Sequence, residues 1–459
     1  MRRLLLATAA ALALAAPALA DTRFEAVLAG HAILPAATFV QPPPGAPESL
    51  ATSGRFAGPD NARVEERGRV PGDTGAVHGR RATGLSLPFA GQPVQGFSGI
   101  RPAGDGSYWV TQDNGFGNRR NSADALLMLH RIRPDFAAGT VAIERTVFLS
   151  DPDRVAAFPI VNEHTPGRLL TGADFDLESI QPAADGGFWL GEEFGPFLLR
   201  VDAEGRLRQV VQTVLDGEPI RSPDHPALQV AATPAAGVAF RARRSGGYEG
   251  MAMTPDGARI WAMLEQPLFA AGSDRPEGAF LRVLELDAAR GAWTGRSVRF
   301  RLAEGATAIG DFNFIDGRRA LVIERDNGEG DPGMACAAGT QPSAAAPCFP
   351  LPARVKRVTL VDMESVDAEG FVRKIGHVDL MAIRDPRRLA RQHGDRPPGT
   401  PAELATMPFF TIENVAAVDG EHIIVGNDNN LPFSAGRHLG RADDNELLLL
   451  HVPELLAAR

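Results

Sequence analysis

Apolar and polar positions along the chain recur in one repeated arrangement. Each copy has an acidic or small polar residue, an apolar strand, a turn, a second apolar strand and an acidic end. Five segments follow it: GFSGIRPAGDGSYWVTQDNG from Gly96, DLESIQPAADGGFWLGEEFG from Asp176, GYEGMAMTPDGARIWAMLEQ from Gly247, GDFNFIDGRRALVIERDNG from Gly310 and TIENVAAVDGEHIIVGNDNN from Thr411. Pairing Ser98 with Asp113 centres the first hairpin between Asp105 and Gly106, and pairing Glu178 with Glu193 centres the second between Asp185 and Gly186. Glu413 with Asp428 centres the last beside Asp419-Gly420, and Glu249 with Glu265 and Asp311 with Asp326 complete the set. Asp-Gly suits such turns, because positive φ is cheap there. The residues at the two ends of each segment are therefore expected side by side at the open end of a hairpin.

More strand-like sequence follows each hairpin, as in Phe197-Leu198-Leu199-Arg200-Val201 and the run from Phe280 to Leu286. A unit of four strands repeated along a chain is the grammar of a β-propeller blade. The expected fold is an all-β propeller of five blades, with room for a sixth in the degenerate N-terminal part. Residues 42–95 and 327–353 read as loop insertions, and the strand from Glu446 to Val452 is expected to pair with one around Phe24 to Leu34 and close the ring. The 49 glycines and 36 prolines fit a chain with this many turns.

The N-terminus changes the picture of location. Met1-Arg2-Arg3, the apolar run from Leu4 to Ala16 and the small-residue site Ala18-Leu19-Ala20 read as a signal peptide over 1–20, leaving one propeller domain over 21–459. A soluble protein of the periplasm or the secreted space is expected, since no later stretch approaches the ~18 apolar residues of a membrane span. The formal charge is −9, and a net acidic chain without a basic run is poorly suited to nucleic acid or an anionic membrane. The expected partner is a small molecule and the expected state a monomer. Cys336 and Cys348 lie in a Gly/Ala/Pro-rich segment and read as one disulfide stapling a surface loop.

Blade geometry sends the start of the first strand and the end of the second to one mouth of the ring. Glu178, Glu192, Glu193, Glu249, Glu265, Asp311, Glu324, Asp326, Glu413 and Asp428 converge there, joined by Asp113 and by the amides of Asn114, Asn327, Asn427 and Asn429. Neighbouring residues alternate faces, so only part of this set can point inward. Crowded carboxylates raise one another's pKa values or demand cations. A ring of hard oxygen ligands suits Ca²⁺ ahead of Mg²⁺ or Mn²⁺, and Zn²⁺ is disfavoured because no histidine pair has ligand spacing. The competing account has the same acids capping turns and tying blade to blade. Gly96-Phe97-Ser98-Gly99 and the segment around Ser434 each lack a glycine of a nucleophile elbow, so a serine hydrolase is poorly supported.

Asp176-Leu-Glu-Ser-Ile180, the stretch from Gly187 to Phe194, Gly247-Tyr-Glu-Gly-Met251, Ile412-Glu-Asn-Val415 and Gly426-Asn-Asp-Asn429 together resemble the exported bacterial family described as esterase-like activity of phytase. The resemblance runs from about Gly96 to the C-terminus. It implies a phosphoesterase or phosphodiesterase-like hydrolase, with the acidic positions of the family falling on Glu178, Glu192, Glu193, Glu249, Glu265, Glu324, Asp326, Glu413 and Asp428. On this reading Asp113, Glu178, Glu193, Glu249, Asp326 and Asp428 hold the metal. Glu192 or Glu413 serves as general base, and Arg325 or Arg437 holds the phosphoryl oxygens. Two alternatives stay open: a non-catalytic binding module stabilised by calcium, and a propeller lactonase or carboxylic esterase.

Overall fold

The computed structural model describes residues 22–228 and 240–459. The signal peptide expected over 1–20 lies outside the described residues. Four-stranded antiparallel sheets follow one another along the chain. The first is built from Phe97–Pro102, Tyr108–Gln112, Met128–Asp135 and Thr140–Phe148, the second from Leu177–Pro182, Phe188–Glu192, Phe197–Val201 and Leu207–Gln212. The third comprises Tyr248–Met253, Arg259–Leu264, Leu281–Asp287 and Ala292–Phe300, and the fourth Ala308–Phe314, Arg319–Arg325, Lys356–Val366 and Val372–Asp379. Thr22–Phe24 adds a parallel edge to the fourth.

The fifth blade has Thr411–Ala417, His422–Asp428 and Asn445–His451, and its outer strand comes from the other end of the chain, where a parallel contact of Ile33 with Thr140 continues the ladder into the first blade. Val27–Leu34 pairs antiparallel with Asn445–His451, from Val27 opposite His451 to Leu34 opposite Asn445. This closes the ring as the sequence pattern predicts. Among the described residues the N-terminal part yields that strand and no sixth blade. Residues 39–93 instead form short ladders, Phe39–Val40 with Gln92–Pro93, Thr52–Ser53 with Phe89–Ala90 and Val70–Asp73 with Ala82–Leu87. Five blades therefore make up the propeller among the described residues.

The core is divided as the blades are. Leu177, Ile180 and Leu190 of the second blade pack on Leu127, Leu129 and Val147 of the first. Trp189 and Leu198 turn the other way, onto Met251, Ile260 and Leu284 of the third. Apolar clusters of the same kind fill the remaining three interfaces. Alternation along each strand lets both faces of a blade be apolar, and each fully buried aliphatic side chain contributes about 1.5–3 kcal/mol.

The turns rest on their aspartates more than on their glycines. Asp105, Asp185, Asp256, Asp316 and Asp419 each accept a hydrogen bond from the backbone N–H two residues on. This local bond fixes the turn whatever follows. Gly106, Gly186 and Gly257 use positive φ. Cys336 and Cys348 form the expected disulfide.

Candidate functional site

Every hairpin carries a bulge at the same place. Leu177 faces Glu192 and Ser179 faces Gly191, so Glu178 is an extra residue on the inner strand. Tyr248 opposite Leu264 and Gly250 opposite Met263 single out Glu249, and Ile412 opposite Asn427 and Asn414 opposite Gly426 single out Glu413. The fourth hairpin skips Gly310 and Asp311, and the first shifts register beside Ser98 and Gly99. A bulge bends its strand and re-aims its side chain. Glu178, Glu249 and Glu413 are thereby turned into the mouth.

The residue that ends each second strand completes the ring. The N–H groups of Asp113, Glu193 and Glu265 donate to the carbonyls of Gly96, Asp176 and Gly247, at 2.8, 2.9 and 2.8 Å. In the fifth hairpin Asp428 pairs with Thr411, and in the fourth Arg325 pairs with Ala308. Arg325, rather than Asp326, thus occupies the place that is acidic in the other four blades. Pairing Asp311 with Asp326 misses this because the bulge is not visible in the hairpin's length.

Eight carboxylates gather at the mouth with that arginine: Asp113, Asp176, Glu178, Glu193, Glu249, Glu265, Glu413 and Asp428. Arg325 Nη2 lies 2.8 Å from Glu265, 3.5 Å from Glu413 and 3.9 Å from Glu249. Oxygens of Asp113, Asp176 and Glu178 fall within 4.8 Å of one another, as do those of Glu178, Glu249 and Glu413. Burial first, and then neighbouring carboxylates, hold Asp176, Glu178, Glu193, Glu249 and Asp428 well above the ordinary carboxylate range. Burial raises Glu413 to about 7, against the opposing pull of Arg325. One guanidinium cannot balance eight acids, so the cluster must take up protons or cations. Glu249 Oε1 decides in favour of fitting a cation, for it is buried without a hydrogen-bond partner and sits in one of the close-set groups.

Further along the inner strands the channel is plugged. Asn313 Oδ1 accepts from Arg101 at 2.9 Å and from Gln181 at 2.8 Å, and Asn313 Nδ2 donates to the carbonyl of Val415 at 2.7 Å. Asp311 accepts from the N–H groups of Phe312 and Val415, and burial raises it to about 8. The acidic mouth therefore has a polar floor joining the first, second, fourth and fifth blades.

Of the residues singled out in the sequence, Asp113, Glu178, Glu193, Glu249, Glu265, Arg325, Glu413 and Asp428 come together. Others do not. Glu192 points to the opposite side of its strand, where its carboxylate accepts from the N–H groups of Phe194, Gly195 and Phe197 at 2.9, 2.7 and 2.7 Å. Asp326 accepts from Lys356 Nζ at 3.1 Å and from the N–H groups of Arg354 and Val355. Arg437 is held by Glu446 at 2.9 and 2.7 Å and by the carbonyl of Thr406. Glu324 is likewise neutralised by Arg357 and Lys374. The amide oxygens of Asn114 and Asn429 accept from the backbone N–H groups of Gly117 and Gly96, and so tie the loops at the mouth.

Asp176 is the member that sequence reasoning missed. Its counterparts in the other blades are Gly96, Gly247, Ala308 and Thr411. An acid at a position otherwise small or uncharged was the available signal. The mouth has a second feature, built from arginines whose sequence places them close to its acidic ends. The loop after Gln112 and the loops leading into Leu177 and Tyr248 emerge at the acidic end of the ring, and they form a cleft with Arg119, Arg120 and Arg244 beside Asp174 and Asp224. Arg119 lies over the ring of Phe194, next to Glu193.

Residues 92–431, which contain every member of this cluster, match the phytase-like family, described as esterase-like activity of phytase. The chain belongs to the phytase-like family. No curated protein matches its sequence. Among solved structures, this phytase-like chain is similar to the major Malassezia sympodialis allergen Mala s 1, with 13% identity, 78% of this chain and 79% of that one covered, and a TM-score of 0.35. The calcium-binding protein regucalcin from Agrobacterium tumefaciens has 12% identity, coverage of 79% and 92%, and a TM-score of 0.32. The Bacillus subtilis arabinanase Arb43A has 10% identity, coverage of 76% and 91%, and a TM-score of 0.32. The propeller rests on the strand pairing of the chain itself, and no chemistry passes from these structures.

Proposed function

We propose that the chain is an exported hydrolase of ester bonds, phosphoric esters first, working at the acidic mouth with a divalent cation. The observation that carries this reading is the cluster of eight carboxylates, seven of them buried and Asp113 half-buried, gathered with one guanidinium, with Glu249 Oε1 left unpartnered. Asp113, Asp176, Glu178, Glu249, Glu413 and Asp428 are the residues that would hold the cation, and an all-oxygen anionic set favours Ca²⁺. When bound, the cation supplies a Lewis acid for the ester oxygen and offsets the charge of a phosphate.

The side chains supply the rest. Arg325 Nε is buried and has no acceptor, so its N–H is available to the oxygen that gains charge in the transition state. The cleft of Arg119, Arg120 and Arg244 offers guanidinium groups to an anionic part of the substrate. The plugged channel confines substrate to the mouth. Export to the periplasm or beyond is supported by the N-terminal pattern and the disulfide. The formal charge of −9 supports a small-molecule substrate rather than nucleic acid or membrane, and the chain is read as a monomer.

The test is a panel of chromogenic phosphate monoester, phosphate diester and carboxylic ester, each with calcium and with EDTA. Calcium-dependent release from a phosphate substrate is expected. Release from the carboxylic ester alone would move the reading to a lactonase-like esterase, and silence throughout would contradict catalysis and favour a calcium-stabilised binding module.

A further inference from the structure

The acids of the mouth divide into two groups that share one residue. Asp113, Asp176 and Glu178 form the first, and Glu178, Glu249 and Glu413 the second; within each, one oxygen per residue lies within 4.8 Å of the others. Glu178 belongs to both because of where its bulge puts it, on the second blade, between the first blade's Asp113 and the third blade's Glu249. A carboxylate has two oxygens and can serve two ions at once.

The groups differ in what compensates them. Arg325 stands 3.5 Å from Glu413 and 3.9 Å from Glu249, so the second group already has a positive neighbour. Among the described residues, Asp113, Asp176 and Glu178 make no ion pair with a basic side chain. Asp176 instead accepts from Asn114 Nδ2 at 2.6 Å. The unpartnered Glu249 Oε1, in a residue only 3% exposed, points independently to a missing ligand in the second group. Arg325 at 3.9 Å is too far to hydrogen-bond it.

We propose that the mouth holds two hard divalent cations bridged by Glu178, one on Asp113 and Asp176 and the other on Glu249 and Glu413. This rests on the reading that the cluster is a cation site, and it adds the number of ions and their division among residues. The first ion binds the more tightly, because Arg325 stands 3.5 and 3.9 Å from Glu413 and Glu249 of the second group, while its attraction reaches the first through the shared Glu178. Two ions sharing a carboxylate are suited to holding both the attacking and the leaving oxygen of a phosphoryl transfer.

Calorimetric titration of calcium into the chelator-treated full chain tests this, with ions per chain counted by native mass spectrometry. Two ions and two steps are expected. Asp176→Asn should weaken the tight step on the order of tenfold or more, Glu413→Gln the weak step by a similar factor, and Glu178→Gln both, since affinity follows the charge of the ligand set. Circular dichroism melts of each variant exclude misfolding, and Asp113→Asn provides a second probe of the tight step. A single ion whose affinity falls alike in Asp176→Asn and Glu413→Gln would overturn the two-ion centre while leaving a one-cation hydrolase standing. Absence of calcium binding would overturn both. Two ions without hydrolysis of any ester would sustain the centre and remove the proposed activity.

Discussion

At the scale of the residue, the mouth is a set of acids placed where their charge is costly. A carboxylate whose folded pKa is raised binds more protons in the folded than in the unfolded state, so stability falls as pH rises through the interval between the two values. For Glu413 that interval runs from 4.5 to about 7, and burial with neighbouring carboxylates shifts Glu178, Glu193 and Glu249 in the same upward direction. The calcium-free protein is therefore expected to melt at a higher temperature at pH 5 than at pH 8. Added calcium should raise the melting temperature at pH 8 far more than at pH 5, and an unchanged melt at both would argue against a cation in the cluster. Glu192 answers to different physics. Its carboxylate serves three backbone N–H groups, so Glu192→Gln should cost about 1–3 kcal/mol in denaturant melts while turnover per folded molecule stays close to wild type. The adjacent pair Glu192-Glu193 shows the limit of sequence here. Two neighbouring acids look equivalent as letters, and only the strand's alternation decides which one reaches the ring.

At the scale of the element, the five hairpins were legible because their turns and their polar ends recur together. The bulges were not, since an extra residue on one strand leaves the apolar pattern almost unchanged. Their effect is large. A one-residue change of register replaced Asp326 by Arg325 at the mouth and supplied the only basic member of the ring among the described residues. Asp176 was obscured similarly, because it stands just outside the strand where the pattern is read. Close approach between blades makes the bulge of the fourth hairpin intolerant. A Cβ on Gly310 would fall 1.8 Å from the carbonyl oxygen of Ile412 in the fifth blade. Gly310→Ala should consequently push the two blades apart, costing about 1–3 kcal/mol in a thermal or urea melt. A wild-type melt for this variant would mean that the blades are less closely apposed than described.

At the scale of the whole molecule, closure and site depend on each other. Val27–Leu34 is the outer strand of the fifth blade, and its Leu28 and Leu34 are buried in the interfaces on either side of that blade. Removing residues 1–34 should abolish cooperative melting and leave material that aggregates on size-exclusion chromatography; a compact, cooperatively melting product would contradict the closure. The count of five blades was legible in the repeats, but the origin of the last strand was only an expectation until Val27–Leu34 was seen beside Asn445–His451. The ring brings eight of the residues named from sequence to one mouth, and it does so from all five blades. That convergence is the basis for treating the mouth as a site of chemistry.

The most direct measurement is the rate of hydrolysis of a chromogenic phosphate diester as a function of free calcium, for the wild-type chain and for Glu249→Gln. The account predicts no turnover in chelator, a rate that rises and saturates with calcium, and at least a hundredfold loss in the variant, the scale expected when a group that stabilises charge in the transition state is removed. A wild-type rate that is insensitive to chelator, or a variant that follows the wild-type curve, would contradict it.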